Sequence, residues 1–201
     1  MRLLYIVFVC SVFGFISCNN GTTTTTTTTT TTDSSKTQTQ VNARPVQSKL
    51  NEAGTQLLMR VINNYYTLKN ALVATKGANA TSAAAQLVTI TDSLQSFLQK
   101  DSSAPAAFKP YLDTISTQSK IIAAIQDETC EKQRLAFGTL SSAMYGLLKT
   151  VDLKNVRVYQ EYCPMAFNEK GAHWLSNDSD IKNPYFGKKM LECGEVTDII
   201  K

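Results

Sequence analysis

Residues 50–72 read LNEAGTQLLMRVINNYYTLKNAL, and this stretch decides the fold class. Its apolar side chains recur at steps of three and four residues, which places them on one face of an α-helix. The residues of that face are Leu50, Leu57, Leu58, Val61, Tyr65, Leu68 and Leu72. A helix with one apolar face must bury it against other elements, so the pattern predicts one member of a helical bundle.

Three later segments repeat this spacing. The second predicted helix ends before Pro105 and carries Ala83, Leu87, Ile90, Leu94, Phe97 and Leu98. The third carries Tyr111, Leu112, Ile115, Ile122 and Ile125. The fourth carries Phe137, Leu140, Met144, Leu147, Leu148 and Val151. Because short polar links join the four segments, we expect neighbouring helices to run antiparallel, as in a bundle.

The spacing changes after Val151. Apolar and more polar residues alternate over 156–162, which predicts a short extended segment that leads into Cys163. Farther on, Asn183-Pro184 is typical of a helix start and Gly194 of a helix end. We therefore expect an all-α fold: an antiparallel bundle of about four helices, a short extended segment, an irregular loop and a short C-terminal helix from Pro184 to about Glu192.

The N-terminus indicates a secreted, lipid-anchored protein. Leu3–Ile16 is an apolar run with the length of a signal-peptide core, and it is too short to span a bilayer comfortably. It ends at Phe15-Ile16-Ser17-Cys18, which resembles a bacterial lipobox. We expect residues 1–17 to be a lipoprotein signal peptide and Cys18 to carry acyl chains such as palmitate. Two or more chains give stable attachment to a membrane.

Eleven threonines, Thr22–Thr32, follow the predicted lipidation site. A polar tract without apolar periodicity cannot build a core, so residues 18–45 are predicted to be a disordered, Thr-rich tether. Residues 46–201 have the size of one domain. The expected location is the cell envelope, with the outer membrane favoured and the domain in the periplasm or at the cell surface.

Four sulfur residues near the C-terminus are the candidate site. They are Cys163, Met165, Met190 and Cys193. Thiolate and thioether are soft ligands that suit Cu(I). On the predicted C-terminal helix, Met190 and Cys193 are three residues apart and would share a face. The expected ligand is therefore Cu(I) or Ag(I), with no organic cofactor.

Two other interpretations of these residues remain open. Cys163 and Cys193 form a disulfide in one of them, since an oxidising compartment favours disulfides. A loop of about thirty residues closed in this way would stabilise the fold by about 3–4 kcal/mol. In the other, Met165 and Met190 are apolar filler around nearby aromatic side chains. A redox-switched site that binds metal only when reduced would combine the first two chemistries.

Several functions fit this sequence poorly. The formal net charge of +4 is small and no basic stripe with interleaved aromatics is present, so we expect no nucleic-acid partner. A single histidine and the lack of a Gly-rich phosphate loop argue against an enzyme. Zinc is disfavoured because neither a CxxC nor an HxxxH pair occurs.

The chain resembles family 3347 of the domains of unknown function over residues 50–201. The motifs that carry the resemblance are Glu131-Lys132-Gln133-Arg134, Phe137, Leu140-Ser141, Tyr162-Cys163-Pro164-Met165-Ala166, Gly171-Ala172, Trp174-Leu175-Ser176, Ile181, Asn183-Pro184-Tyr185-Phe186-Gly187, Met190-Leu191 and Cys193-Gly194-Glu195-Val196. Two positions depart from the family pattern: Cys130, interpreted as a small buried apolar side chain, and His173, to which no metal role is transferred.

This resemblance implies a helical domain in secreted and lipid-anchored envelope proteins. The domain also occurs fused to the periplasmic adaptors of copper and silver efflux pumps, which implies a link to heavy-metal handling. The expected function is binding of Cu(I) or Ag(I) through Cys163, Met165, Met190 and Cys193, for buffering or delivery to an efflux adaptor or pump. The alternative is a non-catalytic structural or interaction lipoprotein in which Cys163 and Cys193 form a disulfide.

Overall fold

A computed structural model describes residues 44–101 and 105–201, which lie in one compact unit. The helices are α1 (Glu52–Val73), α2 (Gly77–Lys100), α3 (Lys109–Ala124), α4 (Glu131–Thr150) and the short α5 (Ala166–Glu169). The strands are β1 (Val158–Cys163), β2 (Ala172–Ser176) and β3 (Glu195–Ile200). Single 3-10 turns occupy Ala106–Phe108 and Gly187–Lys189. The predicted signal peptide, Cys18 and nearly all of the predicted tether lie outside the described residues.

The first four helices correspond to the four predicted amphipathic segments. Each packs against the next along the chain, α1 on α2, α2 on α3 and α3 on α4. Asn51 caps α1, because its side-chain oxygen accepts the Gly54 N–H at 2.9 Å. Within the two described ranges, no helix combines the length and the apolar character needed to cross a bilayer.

The all-α prediction is wrong for the C-terminal part, which contains a three-stranded antiparallel sheet in the order β2-β1-β3. In this sheet Glu161 of β1 pairs with Trp174 of β2 and with Val196 of β3. Strand β1 corresponds to the extended segment predicted over 156–162, but β2 and β3 escape periodicity analysis because they are five and six residues long and do not alternate cleanly. In β2, three successive residues, Trp174, Leu175 and Ser176, are buried. The fold is therefore a helical bundle joined to a small sheet.

The predicted C-terminal helix is also wrong. Only Gly187–Lys189 forms a 3-10 turn, and Met190 then leaves helical geometry with φ −146° and ψ 57°. Gly187 has φ +56°, a left-handed conformation that interrupts a right-handed helix. Asn183 nevertheless starts a turn, since its side-chain oxygen accepts the N–H groups of Tyr185 and Phe186 at 2.8 and 3.2 Å.

The sheet packs on the bundle through β2, which contacts α4. Between them lies a buried hydroxyl pair, with Tyr65 Oη 2.8 Å from Ser141 Oγ. Tyr65 Oη also accepts the backbone N–H of Leu175 at 3.0 Å. The Tyr65 ring stacks on Phe137 at a centroid distance of 5.3 Å. These contacts fix α1, α4 and β2 against one another.

Candidate functional site

The structure brings the thiols of Cys163 and Cys193 together. Cys163 is the last residue of β1, and Cys193 lies two residues before β3. Because Tyr162 pairs with Glu195 across these antiparallel strands, the residues just beyond that pair are also neighbours. The neighbouring Cys163 thiol is the largest of the effects that raise the pKa of Cys193, and burial adds to it. Both residues are free thiols in this structure.

The two thiols differ in their access to solvent. Cys163 is fully buried, whereas Cys193 is half-buried at the surface. The backbone N–H of Met165 lowers the pKa of Cys193, but the larger opposite effects leave that pKa raised, which favours the protonated thiol. The site therefore has one accessible sulfur and one enclosed sulfur.

The two methionines of the predicted site, Met165 and Met190, lie in turns near the thiol pair. The Met165 side chain is 47% exposed, on the turn that directly follows Cys163. The Met190 carbonyl accepts the Cys193 N–H at 3.2 Å, so a tight turn links these two residues. The predicted shared helical face of Met190 and Cys193 does not exist, because no helix reaches either residue. Their proximity comes from the turn instead.

Two features hold the backbone of Cys193 in place. The Asn183 side chain donates to the Cys193 carbonyl at 2.8 Å, and the Asn183 N–H donates to Leu191 O at 2.8 Å. Gly194 has φ +150°, and a Cβ there would lie 2.8 Å from both Trp174 and the Tyr162 carbonyl oxygen. Only glycine fits this close approach. The asparagine and the glycine together position the Cys193 thiol beside Cys163.

Aromatic side chains surround the enclosed thiol. Tyr185 interacts electrostatically with Cys163, although burial is the main cause that raises the pKa of Tyr185 far above its ordinary value. The Tyr185 hydroxyl donates to the carbonyl of His173. The Trp174 ring meets Tyr185 edge to face at a centroid distance of 5.8 Å. Cys163 therefore lies in an apolar environment that excludes water.

The two residues that depart from the family pattern have ordinary structural surroundings. Cys130 is fully buried beside the start of α4, as expected for a small apolar side chain, and burial raises the pKa of its thiol. The His173 ring packs on Tyr162 with the centroids 4.5 Å apart. Burial lowers the pKa of His173.

Within the described ranges, no three or more His, Cys, Asp and Glu side chains come together as a metal-ligand group. The candidate set is of another kind, because it combines the Cys163–Cys193 pair with thioethers. Two adjacent thiols are soft ligands, and they fit Cu(I) or Ag(I) better than the hard divalent ions. The residues present therefore fit a soft monovalent ion.

A buried pair of ionisable side chains beside the site was not predicted from the sequence. Glu161 is fully buried, and neither of its side-chain oxygens has a hydrogen-bond partner of ordinary geometry, although the equally unpartnered Trp174 indole N–H lies close enough to lower its pKa. Burial raises the pKa of Glu161 to about 7, despite the opposing charge of Lys69. Lys69 is itself buried and donates to Ser176 Oγ at 3.3 Å. The alternation over 156–162 suggested a solvent-facing glutamate, and only the packing of α1 on the sheet reveals the opposite.

The fold and the site together define a helical-bundle domain whose C-terminal sheet presents a pair of adjacent thiols. The sequence model of DUF3347, described as a protein of unknown function, matches residues 61–155. Over that segment the chain matches the family that the resemblance predicted, whereas the motifs from Tyr162 onward lie outside the match. It runs from within α1 past the end of α4 and stops before β1, so the match does not include Cys163 or Cys193. Neither a curated protein nor a solved structure matches the chain.

Proposed function

We propose that this protein is a lipid-anchored envelope protein that binds Cu(I) or Ag(I) through Cys163 and Cys193. One observation carries the proposal: the pairing of β1 with β3 makes the two thiols neighbours although about thirty residues separate them, a loop closure that folding must stabilise. The half-buried position of Cys193 gives an ion access, and the buried position of Cys163 limits competition from water. Met165 and Met190 are the proposed thioether ligands.

The chemistry of the pair favours a soft ion over a hard one. Thiolate sulfur is polarizable and selects Cu(I) among the common cellular metals, whereas carboxylate oxygen selects Mg²⁺ or Ca²⁺. The methionine side chain is unbranched and flexible, so an exposed Met165 can turn toward an ion at Cys193 without moving the backbone. The proposed site thus has a fixed dithiol and adaptable thioethers.

The proposed role is buffering of the ion or its transfer to a heavy-metal efflux adaptor or pump. Support for the transfer comes from the sequence resemblance, since adaptors of copper and silver efflux carry related domains. Support for the anchor comes from the apolar run and Cys18. Replacing Cys18 with serine should release the protein from the membrane fraction and remove the acyl mass. A Cys18→Ser protein that stays membrane-bound would contradict the anchor.

The thiol contact also favours a second candidate function. A disulfide between Cys163 and Cys193 would fix the segment before β3 to the end of β1. The protein would then be a structural or interaction lipoprotein without a metal. Counting reactive thiols in natively purified, non-reduced protein tests the disulfide, because that bond removes Cys193 from reaction with a thiol reagent, and Cu(I) binding by the reduced protein tests the metal.

Competition for Cu(I) tests the metal proposal. The reduced full-length protein is titrated with Cu(I) in the presence of a chelator of known affinity. The comparison protein has serine at Cys163 and Cys193 and leucine at Met165 and Met190. Both proteins retain the N-terminal cysteines, so any binding by those residues cancels. We expect the unaltered protein to withdraw Cu(I) from the chelator and the comparison protein to lose most of that ability.

A matched control uses sulfur residues outside the site. Cys130→Ala and Met144→Leu remove a thiol and a thioether that are fully buried elsewhere in the bundle. This control should bind Cu(I) as the unaltered protein does. Equal Cu(I) affinity in the unaltered protein and in the protein without the four site sulfurs would refute the proposal.

A further inference from the structure

We propose that Cys193 is a thiol–disulfide exchange site: its thiol attacks small-molecule disulfides, and Cys163 then resolves the mixed disulfide into an internal Cys163–Cys193 bond. The two cysteines therefore have different roles, one attacking and one resolving. This proposal needs no metal. It goes beyond a static structural disulfide because it assigns an order to the two steps and a substrate class to the first.

Solvent access sets the order. A disulfide in solution must reach the attacking sulfur, and Cys193 is half-buried at the surface while Cys163 is fully enclosed. Tyr185 lies close enough to Cys163 to interact with it electrostatically, and its ring meets Trp174 edge to face. A bulky disulfide can therefore approach Cys193 but not Cys163.

Proximity of the thiols sets the second step. Once Cys193 carries an adduct, Cys163 is the neighbouring thiol across β1 and β3 in the described part of the chain. A disulfide bond has a sulfur–sulfur length of about 2 Å, so the two sulfurs must approach each other to form it. The Asn183 hydrogen bond to the Cys193 carbonyl keeps the backbone in place during that approach.

The reaction balances without a further reagent. In the first step the Cys193 thiolate attacks one sulfur of RSSR; the S–S bond of RSSR breaks, a Cys193–SR bond forms and RS⁻ leaves with the proton lost by Cys193. In the second step the Cys163 thiolate attacks the Cys193 sulfur, the Cys193–SR bond breaks and the second RS⁻ leaves with the proton lost by Cys163. Two protein thiols are oxidised by two electrons, and RSSR is reduced to two RSH.

The internal bond also has a consequence for the metal, which rests on the proposed function. Both thiolates are consumed in the disulfide, so the oxidised protein cannot offer them to Cu(I). Reduction by a dithiol reverses the exchange and restores the pair. The redox state of the compartment would then determine when the ion is held.

Oxidised glutathione is the probe for the exchange. The reduced full-length protein is incubated with it, quenched with acid and analysed by intact mass and peptide mapping. We expect the unaltered protein to form the Cys163–Cys193 bond without a lasting adduct, and Cys163→Ser to accumulate one glutathione on Cys193. Cys193→Ser should acquire an adduct on Cys163 at least about tenfold more slowly, because the buried thiol is inaccessible. Circular dichroism confirms that both variants are folded, and Cys163→Ala replaces Cys163→Ser if that variant is not.

The same reaction measured in denaturant tests whether the folded structure causes the preference for Cys193. That preference should disappear, since both thiols are then exposed. Equal rates of adduct formation at Cys163 and Cys193 in the folded variants would overturn the assigned order, and absence of the internal bond in the unaltered protein would overturn the exchange. Because the mass readout contains no metal, either result leaves the Cu(I) titration as a separate test of the proposed function.

Discussion

The Nε–H of Arg134 donates to the carbonyl oxygen of Pro184 at 2.7 Å. The same guanidinium also donates to the carbonyl oxygens of Thr129 and Leu72, at 2.7 and 3.0 Å, and to Thr75 Oγ1 at 2.9 Å. These four acceptors are neutral, and burial lowers the pKa of Arg134. One side chain of α4 thus ties the end of α1 to the loop that leads to the thiol pair.

Replacing Arg134 with methionine should lower the free energy of unfolding by about 1–3 kcal/mol, because the buried Pro184 carbonyl loses its donor, whereas Leu72 O keeps the Thr75 N–H. Arg134→Lys should restore little of this, since an ammonium group lacks the planar fork that reaches separate acceptors. Urea unfolding followed by the fluorescence of Trp174, the only tryptophan, measures the change. Lys132→Met, an exposed site on the same turn of α4, is the control. A loss for Arg134→Met no larger than for this control would contradict the prediction.

A second prediction concerns the close approach at Gly194. Its Cβ position lies 2.8 Å from Trp174 and from the Tyr162 carbonyl, at a φ of +150°. Gly194→Ala should therefore strain the backbone by about 1–3 kcal/mol and move Cys193 away from Cys163. We expect a lower melting temperature and slower formation of the internal disulfide, measured by thermal unfolding and by quenched mass spectrometry. Glu195→Ala, the exposed neighbour, should leave both values unchanged.

Periodicity was enough to predict the bundle and not enough to predict the sheet. The apolar faces of α1 to α4 extend over 16 to 24 residues, so each contains many repeats of the helical spacing. Strands β2 and β3 have five and six residues and are determined by pairing with β1, which is a long-range contact. Asn183 and Gly194 were predicted to start and end a helix, but the chain between them is not helical because Gly187 takes a left-handed conformation, and Asn183 starts a turn instead.

The candidate site was predictable in part for a similar reason. Sequence chemistry grouped Cys163 with Cys193, and the antiparallel pairing of β1 with β3 brings them together. The sequence pattern also predicted Met190 and Cys193 on one face of a C-terminal helix, and the structure has no helix there. Glu161 was missed because a buried carboxylate gives no apolar signal. Its burial depends on α1, about ninety residues earlier, which no local pattern can report.

A third prediction tests the hydroxyl pair between the bundle and the sheet. Tyr65→Phe should cost about 1–3 kcal/mol of unfolding free energy, since the buried Leu175 N–H loses its acceptor. Ser141→Ala removes the partner hydroxyl 2.8 Å away. Because both changes act on one hydrogen-bond network, the double variant should cost less than the sum of the single ones. Urea unfolding of the unaltered protein, the two single variants and the double variant measures the coupling free energy between the two hydroxyls. Strict additivity would show that the two hydroxyls act independently.

The last prediction concerns the pH dependence of stability. Glu161 faces Lys69 and Tyr66 of α1 and lies opposite Trp174, with the charges of Asp178 and Lys182 acting on it as well. Burial raises the pKa of Glu161 from 4.5 to about 7. The folded protein therefore holds this proton over a pH range in which the unfolded chain has released it. The resulting stability is fully present below pH 4.5 and is lost as the pH rises through about 7.

A shift of this size corresponds to about 3 kcal/mol between pH 4 and pH 8. Glu161→Gln keeps the shape of the protonated side chain and cannot ionise, so it should remove this part of the slope. We expect the variant to match the unaltered protein near pH 4.5 and to exceed its stability at pH 8, measured by urea unfolding across that range.

Glu169→Gln, at an exposed glutamate, should follow the unaltered protein. His173 titrates in the same range with the opposite sign, because its lowered pKa favours the neutral ring, and it is present in all three proteins. The difference between the curves therefore isolates Glu161, and parallel curves for the unaltered protein and Glu161→Gln would show that its carboxyl group is ionised in the folded protein at acidic pH.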